Sequence, residues 1–314
     1  MTESMGYRPT PGTPVPILLD TDIGPDCDDA GAVAVLHTLE RMRKVQIVGM
    51  THCTSSRWGA GCLDALNGYF GRGDIPVGTL KRLAGFLDDD EIYGKYNKGV
   101  AQGYPNRYAG TEEAPDAIDL YRELLSKAED DTIVFVAIGP LVNLMHLLRS
   151  GPDRHSGLSG AELVARKARH LVAMGGRFPD GKEWNFEMHP EAAAYVVGHW
   201  PTGITFTGYE IGAEIRTGRR LHMDTPDDHP VRRSYVWYGG EGGVRESWDL
   251  TAVLYAAEGS SDYWDVVRGR AEVDPVSGAN RWEPHPEGRH GYLTRKMDPE
   301  QIVELLDDLL VRLP

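Results

Sequence analysis

Asp20-Thr-Asp22-Ile-Gly-Pro-Asp26-Cys-Asp28-Asp29 follows directly on the apolar run Val15-Pro-Ile-Leu-Leu19, and Ala30, Val33, Ala34 and His37 continue from it at helical spacing. The stretch reads as a buried strand, a tight acidic turn and a helix. Five carboxylates crowd that turn. Like charges this close repel one another, and desolvating even one carboxylate is costly. A hard divalent cation with oxygen ligands, Ca²⁺ for preference, resolves the conflict. Gly24 and Pro25 permit the bend that aims several carboxylates inward. Two plainer readings compete: Asp28 and Asp29 favouring a helix N-terminus, or a solvated acidic surface. An EF-hand does not fit, because Gly31 stands where the twelfth loop position needs Glu.

Outward from this turn, short apolar runs alternate with helical patterns. The runs Val15–Leu19, Val45–Met50, Thr132–Ile138, His170–Met174 and Ile204–Thr207 read as strands. Ala30–Leu39, Gly59–Phe70, Pro115–Lys127, Leu141–Arg149 and Pro190–Trp200 read as helices between them. Such alternation predicts an α/β fold, an open and mostly parallel sheet covered by helices on both faces. Its ligand site is expected beyond the carboxyl ends of the strands. Near the end of the chain, Asp298 and Pro299 open a helix whose stripe of Ile302, Leu305, Leu306, Leu309 and Leu310 predicts core packing. Two stretches, 87–111 and 217–246, look irregular. The first carries Tyr93, Tyr96, Tyr104 and Tyr108 among glycines, as a cover over a pocket or an ordinary surface loop would.

Composition narrows the class further. At 314 residues with 41% apolar and 25% charged residues, the chain is ordinary for a globular protein. A net charge of −14 argues against nucleic acid as a partner. No run approaches the length of a membrane helix. Residues 1–14 read as a flexible leader and 15–314 as a single catalytic domain. Cys27, Cys53 and Cys62 make an odd count without zinc spacing, so a reducing cytoplasm is the expected setting.

With the acidic turn in view, the chain resembles the nucleoside hydrolases, the inosine–uridine-preferring nucleoside N-ribohydrolases, from Ile17 to about Leu310. Asp20-Thr-Asp22-Ile-Gly…Asp28-Asp29-Ala resembles the family's N-terminal signature, in a form with two extra residues before the Asp pair. Asp64-Ala-Leu-Asn…Gly71-Arg-Gly-Asp-Ile-Pro-Val-Gly78, Ile138-Gly-Pro-Leu-Val-Asn143, Met174-Gly-Gly176 with Glu183-Trp-Asn185-Phe and Pro190-Glu-Ala-Ala193, and Trp248-Asp249 follow in collinear order. The resemblance implies a Rossmann-like nucleoside hydrolase fold and cleavage of an N-glycosidic bond. It implies Ca²⁺ held by Asp22, Asp29, the Ile138 carbonyl and Asp249, with Asp22 as general base on a metal-bound water. Asp28, Glu183 and Asn185 would hold the ribose, with Asn185 also stabilising the positive charge that builds on it. Asp20 would support the loop from behind. The partner implied is a small-molecule nucleoside, and the assembly a homodimer or homotetramer.

Three departures qualify the match. The extra residues make Asp26 a second candidate for the sugar contact, although the intact Asp28-Asp29-Ala favours Asp28. Ser55 stands nearest the place where relatives carry a sugar-binding Asn. Trp248 replaces the His that often precedes the late metal Asp; it can stack on a base but cannot donate a proton by titration. His52, His189 and His290 are then the candidates for a leaving-group acid. Trp184 is expected in the core, Cys27 in a packing role, and Glu210 either in the pocket or bracing a turn. Two other classes compete: a non-catalytic nucleoside- or ribose-binding protein on the same scaffold, and a haloacid-dehalogenase-type phosphohydrolase with Asp20 as nucleophile.

Overall fold

A computed structural model of the chain describes residues 7–108, 113–260 and 262–312. Its strands are β1 (Val15–Thr21), β2 (Val45–His52), β3 (Val77–Thr79), β4 (Ile133–Ala137), β5 (Ala168–Met174), β6 (Gly203–Thr207), β7 (Arg216–Thr217), β8 (Arg245–Glu246), β9 (Trp264–Val273), β10 (Asn280–Pro284) and β11 (His290–Arg295). Nine of them form one sheet in the order β10-β9-β11-β6-β5-β4-β1-β2-β3. From β3 through to β11 every neighbouring pair is parallel. β9 and β10 continue the sheet antiparallel.

The central strands are continuous apolar runs because both of their faces are covered. Ile17, Leu18 and Leu19 are buried, as is all of β4. One core gathers Leu19, Val33, Leu36 and Leu254 on one side of the sheet. On the other, Phe135 meets Tyr121 at 5.4 Å and Trp200 at 5.2 Å between ring centroids. The five helices expected between strands are present within a residue or two of their expected ends. Asp298 caps the last helix, Pro299–Leu310, through the Glu300 amide at 2.9 Å, and Ile302, Leu306, Leu309 and Leu310 are buried. That helix packs against the helix Asp28–Arg41, where Thr38 Oγ1 donates to the Leu309 carbonyl at 3.0 Å.

The two irregular stretches contain structure the sequence reading missed. Asn97–Gly103 is helical within the first. The second holds the helices Arg219–Asp224 and Pro230–Gly239, closed off by the β7–β8 pair. The helix at 230 starts on an unusual cap, His229, whose Nδ1 accepts from the Val231 amide at 3.2 Å. Its buried side is Pro230, Val231, Ser234 and Tyr235, too sparse for a clear apolar stripe. β9 to β11 were also missed, since β9 is buried at only scattered positions. Of the leader expected over 1–14, residues 1–6 lie outside the described residues. Tyr7 stacks on His170 with ring centroids 4.8 Å apart, and its hydroxyl donates to the Ala256 carbonyl at 3.2 Å. Among the described residues no helix is long and apolar enough to cross a membrane.

Phe135→Ala removes the ring at the centre of the second core. It is expected to cost about 3–5 kcal/mol, read as a lowered denaturant midpoint with an unchanged slope.

Candidate functional site

β1 ends at Asp20 and Thr21, β4 leads into Ile138, and β5 ends at Met174. Beyond these carboxyl ends lies a cavity of about 520 Å³, in the size range of small-molecule sites. Its floor carries Asp22, Asp28, Asp29 and Asp249, all nearly excluded from solvent. Carboxylate oxygens of Asp28, Asp29 and Asp249 lie within 4.8 Å of one another. Asp22 hydrogen-bonds Asp29, and Thr21 Oγ1 donates to Asp29 Oδ1 from the other side. The Asp249 amide donates to Asp28 Oδ2 at 3.0 Å, joining the start of the helix Trp248–Glu258 to the acidic turn.

Two backbone features make this packing possible. Gly24 has φ +148°, and a Cβ there would sit 2.4 Å from Asn97 Nδ2. A Cβ on Gly139 would sit 2.8 Å from the amide and Oδ1 of Asp22. Behind the floor, Asp20 accepts from Thr51 Oγ1 at 2.6 Å and from Asn143 Nδ2 at 2.8 Å. Asn143 also donates to the His52 carbonyl at 3.1 Å, tying β1, β2 and the helix Val142–Arg149 together. Asp20 therefore braces the site without lining it, which removes the nucleophile that a phosphohydrolase reading required.

The crowding shows in the acidities. Burial pushes Asp22 up to about 8, with Asp26 and Glu183 adding repulsion. Asp28, Asp29 and Asp249 are pushed well above the usual carboxylate range, first by burial and then by one another and by Asp22 and Asp26. Burial also raises Asp20 to about 6 and Glu183 to about 7. A set of buried, mutually repelling oxygen donors fits a hard divalent cation, whose charge offsets both penalties. Cys27 is buried but not in the lining, in keeping with packing.

Ile138 lines the cavity, and its amide donates to the Asp20 carbonyl at 2.8 Å. Glu183 and Asn185 line it too. Glu183 also caps the short helix Trp184–Met188, accepting from the amides of Asn185 (2.7 Å), Phe186 (3.3 Å) and Gly176 (3.0 Å). Asn185 Nδ2 donates to the Met174 carbonyl at 3.1 Å. Asp26 is committed to Arg245, whose Nε lies 2.8 and 2.9 Å from its two oxygens.

Other expectations fall away. Ser55 is outside the cavity lining; its hydroxyl and amide both engage the backbone of Phe86, at 2.6–3.0 Å. None of the three candidate histidines lines the cavity. His52 is buried between Thr79 and Thr54, and burial lowers it to about 3. His189 caps the helix Pro190–His199 through the Ala192 amide at 3.1 Å. His290 lies on β11, accepting from the Ala271 amide at 3.0 Å. Glu210 braces a turn through the Phe178 amide at 3.1 Å.

The rim is aromatic. Trp184, expected in the core, is 37% exposed and lines the cavity with Tyr93, Tyr209, Tyr238 and Trp248. Tyr209 and Trp248 lie 5.5 Å apart between centroids. Arg245 sits over both Tyr238 (5.2 Å) and Trp248 (4.9 Å). Tyr93 falls in the Tyr- and Gly-rich stretch singled out by composition, whereas nothing local distinguished Arg245 from the other arginines.

Residues 17–279 match the family model for inosine-uridine preferring nucleoside hydrolase. No curated protein matches the chain. Among solved structures, a purine-preferring ribonucleoside hydrolase from Gardnerella vaginalis superposes with a TM-score of 0.72 at 17% identity, over 94% of this chain and 98% of that one. A plant nucleoside hydrolase superposes with a TM-score of 0.68 at 19% identity, over 95% and 99%. The type III effector protein XopQ, complexed with adenosine diphosphate ribose, gives 0.69 at 13% identity, over 97% and 94%.

A metal-removal experiment tests the floor. Asp22 in the folded protein holds its proton to about 8, against 3.8 for the ordinary side chain. Between those values the folded state binds more protons than the unfolded, so stability falls as pH rises through that window. In EDTA-treated protein, Tm is expected to drop from about pH 5 to about pH 8. A divalent cation should restore it, and by more at the higher pH, where protons compete less for the oxygens. A Tm indifferent to pH and cation would remove the cation site.

Proposed function

The chain belongs to the inosine-uridine preferring nucleoside hydrolase family, and from that membership we propose that it hydrolyses the N-glycosidic bond of a ribonucleoside or closely related N-riboside. The products are free base and ribose, and the reaction depends on Ca²⁺. The observation that carries this reading is the grouping of Asp28, Asp29 and Asp249 oxygens within 4.8 Å, beside Asp22, at the floor of an aromatic-rimmed cavity.

Asp22, Asp29, Asp249 and the Ile138 carbonyl would hold the cation; a flexible shell of oxygen donors suits Ca²⁺. When bound, the cation orients a water molecule and makes it easier to deprotonate. Asp22 takes the proton. Asp28 faces the ribose 2′- and 3′-hydroxyls from beside the cation donors. Breaking the bond builds positive charge on the sugar, as in other glycoside hydrolysis. The carboxylates and the Asn185 side-chain carbonyl stabilise that charge. Glu183 holds the loop that carries Asn185 and offers the ribose its remaining acceptor capacity. Trp248 and the neighbouring rings accommodate the base. Assembly as a homodimer or homotetramer goes with the family, and sedimentation measures it.

A second reading, an N-riboside-binding protein without turnover, is favoured by one observation: among the described residues no histidine lines the cavity. The two readings separate on a panel of nucleosides assayed for base release with Ca²⁺, with Mg²⁺ and with EDTA. Release that requires Ca²⁺ supports hydrolysis; tight binding with no release from any riboside overturns it. Asp22→Ala and Asp29→Ala are each expected to lower kcat by about 10²–10⁴-fold or more. Full activity in either would remove the assigned mechanism.

A further inference from the structure

Departure of a nucleobase leaves an electron pair on a ring nitrogen, and some group must accept that charge. Among the described residues lining the cavity, only Lys182 and Arg245 are basic. Lys182 is 52% exposed and paired with Glu187 at 3.1 Å, at the outer edge. Arg245 is different. Its side chain is 26% exposed, and its guanidinium carbon lies over the Tyr238 ring at 5.2 Å and the Trp248 ring at 4.9 Å. Its Nε and Nη2 engage Asp26, and its Nη1 donates to Glu246 at 2.9 Å. These contacts leave guanidinium N–H groups to spare.

The chain thus places a fixed, permanently charged donor beside the indole that stands one residue before Asp249. Asp26, in the acidic turn, holds it there. We propose that Arg245 receives the departing base, donating hydrogen bonds to the ring nitrogen or carbonyl oxygen on which the electron pair collects. The inference rests on the hydrolase reading above. The C1′–N bond breaks with its pair passing to the base, and the water oxygen bonds C1′ while Asp22 takes a water proton. The base anion, held by Arg245, then takes a proton from solvent as Asp22 returns its own, so nucleoside plus water gives ribose plus base. A guanidinium does not give up its proton in this range, so Arg245 acts by hydrogen bonding and charge. Being donor-only, it favours bases that present a carbonyl acceptor.

The test compares leaving groups in the full-length, Ca²⁺-loaded protein. Inosine and uridine leave as poor anions, whereas p-nitrophenyl β-D-ribofuranoside releases an anion stable without help. Arg245→Gln is expected to lower kcat on the nucleosides by about 10²-fold while changing kcat on the nitrophenyl riboside by less than about threefold. An equal loss on both substrates, or no loss on the nucleosides, overturns the proposal. If Arg245→Gln does not fold, the double variant Asp26→Asn/Arg245→Gln carries the same test, because it removes the guanidinium without leaving Asp26 as an unpaired carboxylate. Failure of the wild-type protein to cleave either class would instead overturn the hydrolase reading.

Discussion

Four carboxylates forced into one buried cluster set the terms for the rest of this structure. Asp22, Asp28, Asp29 and Asp249 are each nearly excluded from water, and their mutual repulsion is what a bound cation would relieve. The surrounding architecture holds them in place. Strand ends deliver Asp22 and Ile138, while the starts of two helices that pack together deliver Asp28, Asp29 and Asp249. Helix N-termini favour negative charge, which softens the repulsion without cancelling it. Gly139, with no Cβ, lets the neighbouring loop press against Asp22.

The pocket divides into two chemistries. Its floor is all oxygen donors, suited to a cation and a polyhydroxylated sugar. Its rim is aromatic, with the Arg245 guanidinium over two of the rings. The Asp26–Arg245 pair links these layers, since Asp26 belongs to the acidic turn and Arg245 to β8. The Asp249 amide, donating to Asp28 from the residue after Trp248, is a second tie between them.

Much of this was legible from local patterns. The strand, acidic turn and helix around Asp20 to Asp29 could be read directly, because apolar periodicity and charge density are short-range signals. The parallel sheet followed from the same alternation. Less legible was anything set by distant packing. Ser55 carries a polar side chain near the site in sequence, but the backbone of Phe86 claims it. His52, His189 and His290 are committed to strand and cap contacts that no spacing reveals. Trp184 was read inward because it lies between two polar residues of the pocket; the short helix capped by Glu183 turns it to the rim instead. Arg245 became significant only when β8 folded over the acidic turn.

The last helix adds a constraint of timing. Its Leu309 carbonyl is bonded to Thr38, across 271 residues, on the helix that begins with Asp28 and Asp29. β11, equally late, supplies β6 with its second parallel neighbour, on the side away from β5. During synthesis the helix bearing the acidic turn therefore keeps a bare apolar flank until the segment around Leu309 has been made. Thr38 waits on a residue 271 positions later for its partner, so the nascent chain passes through a state with that flank uncovered, one prone to association.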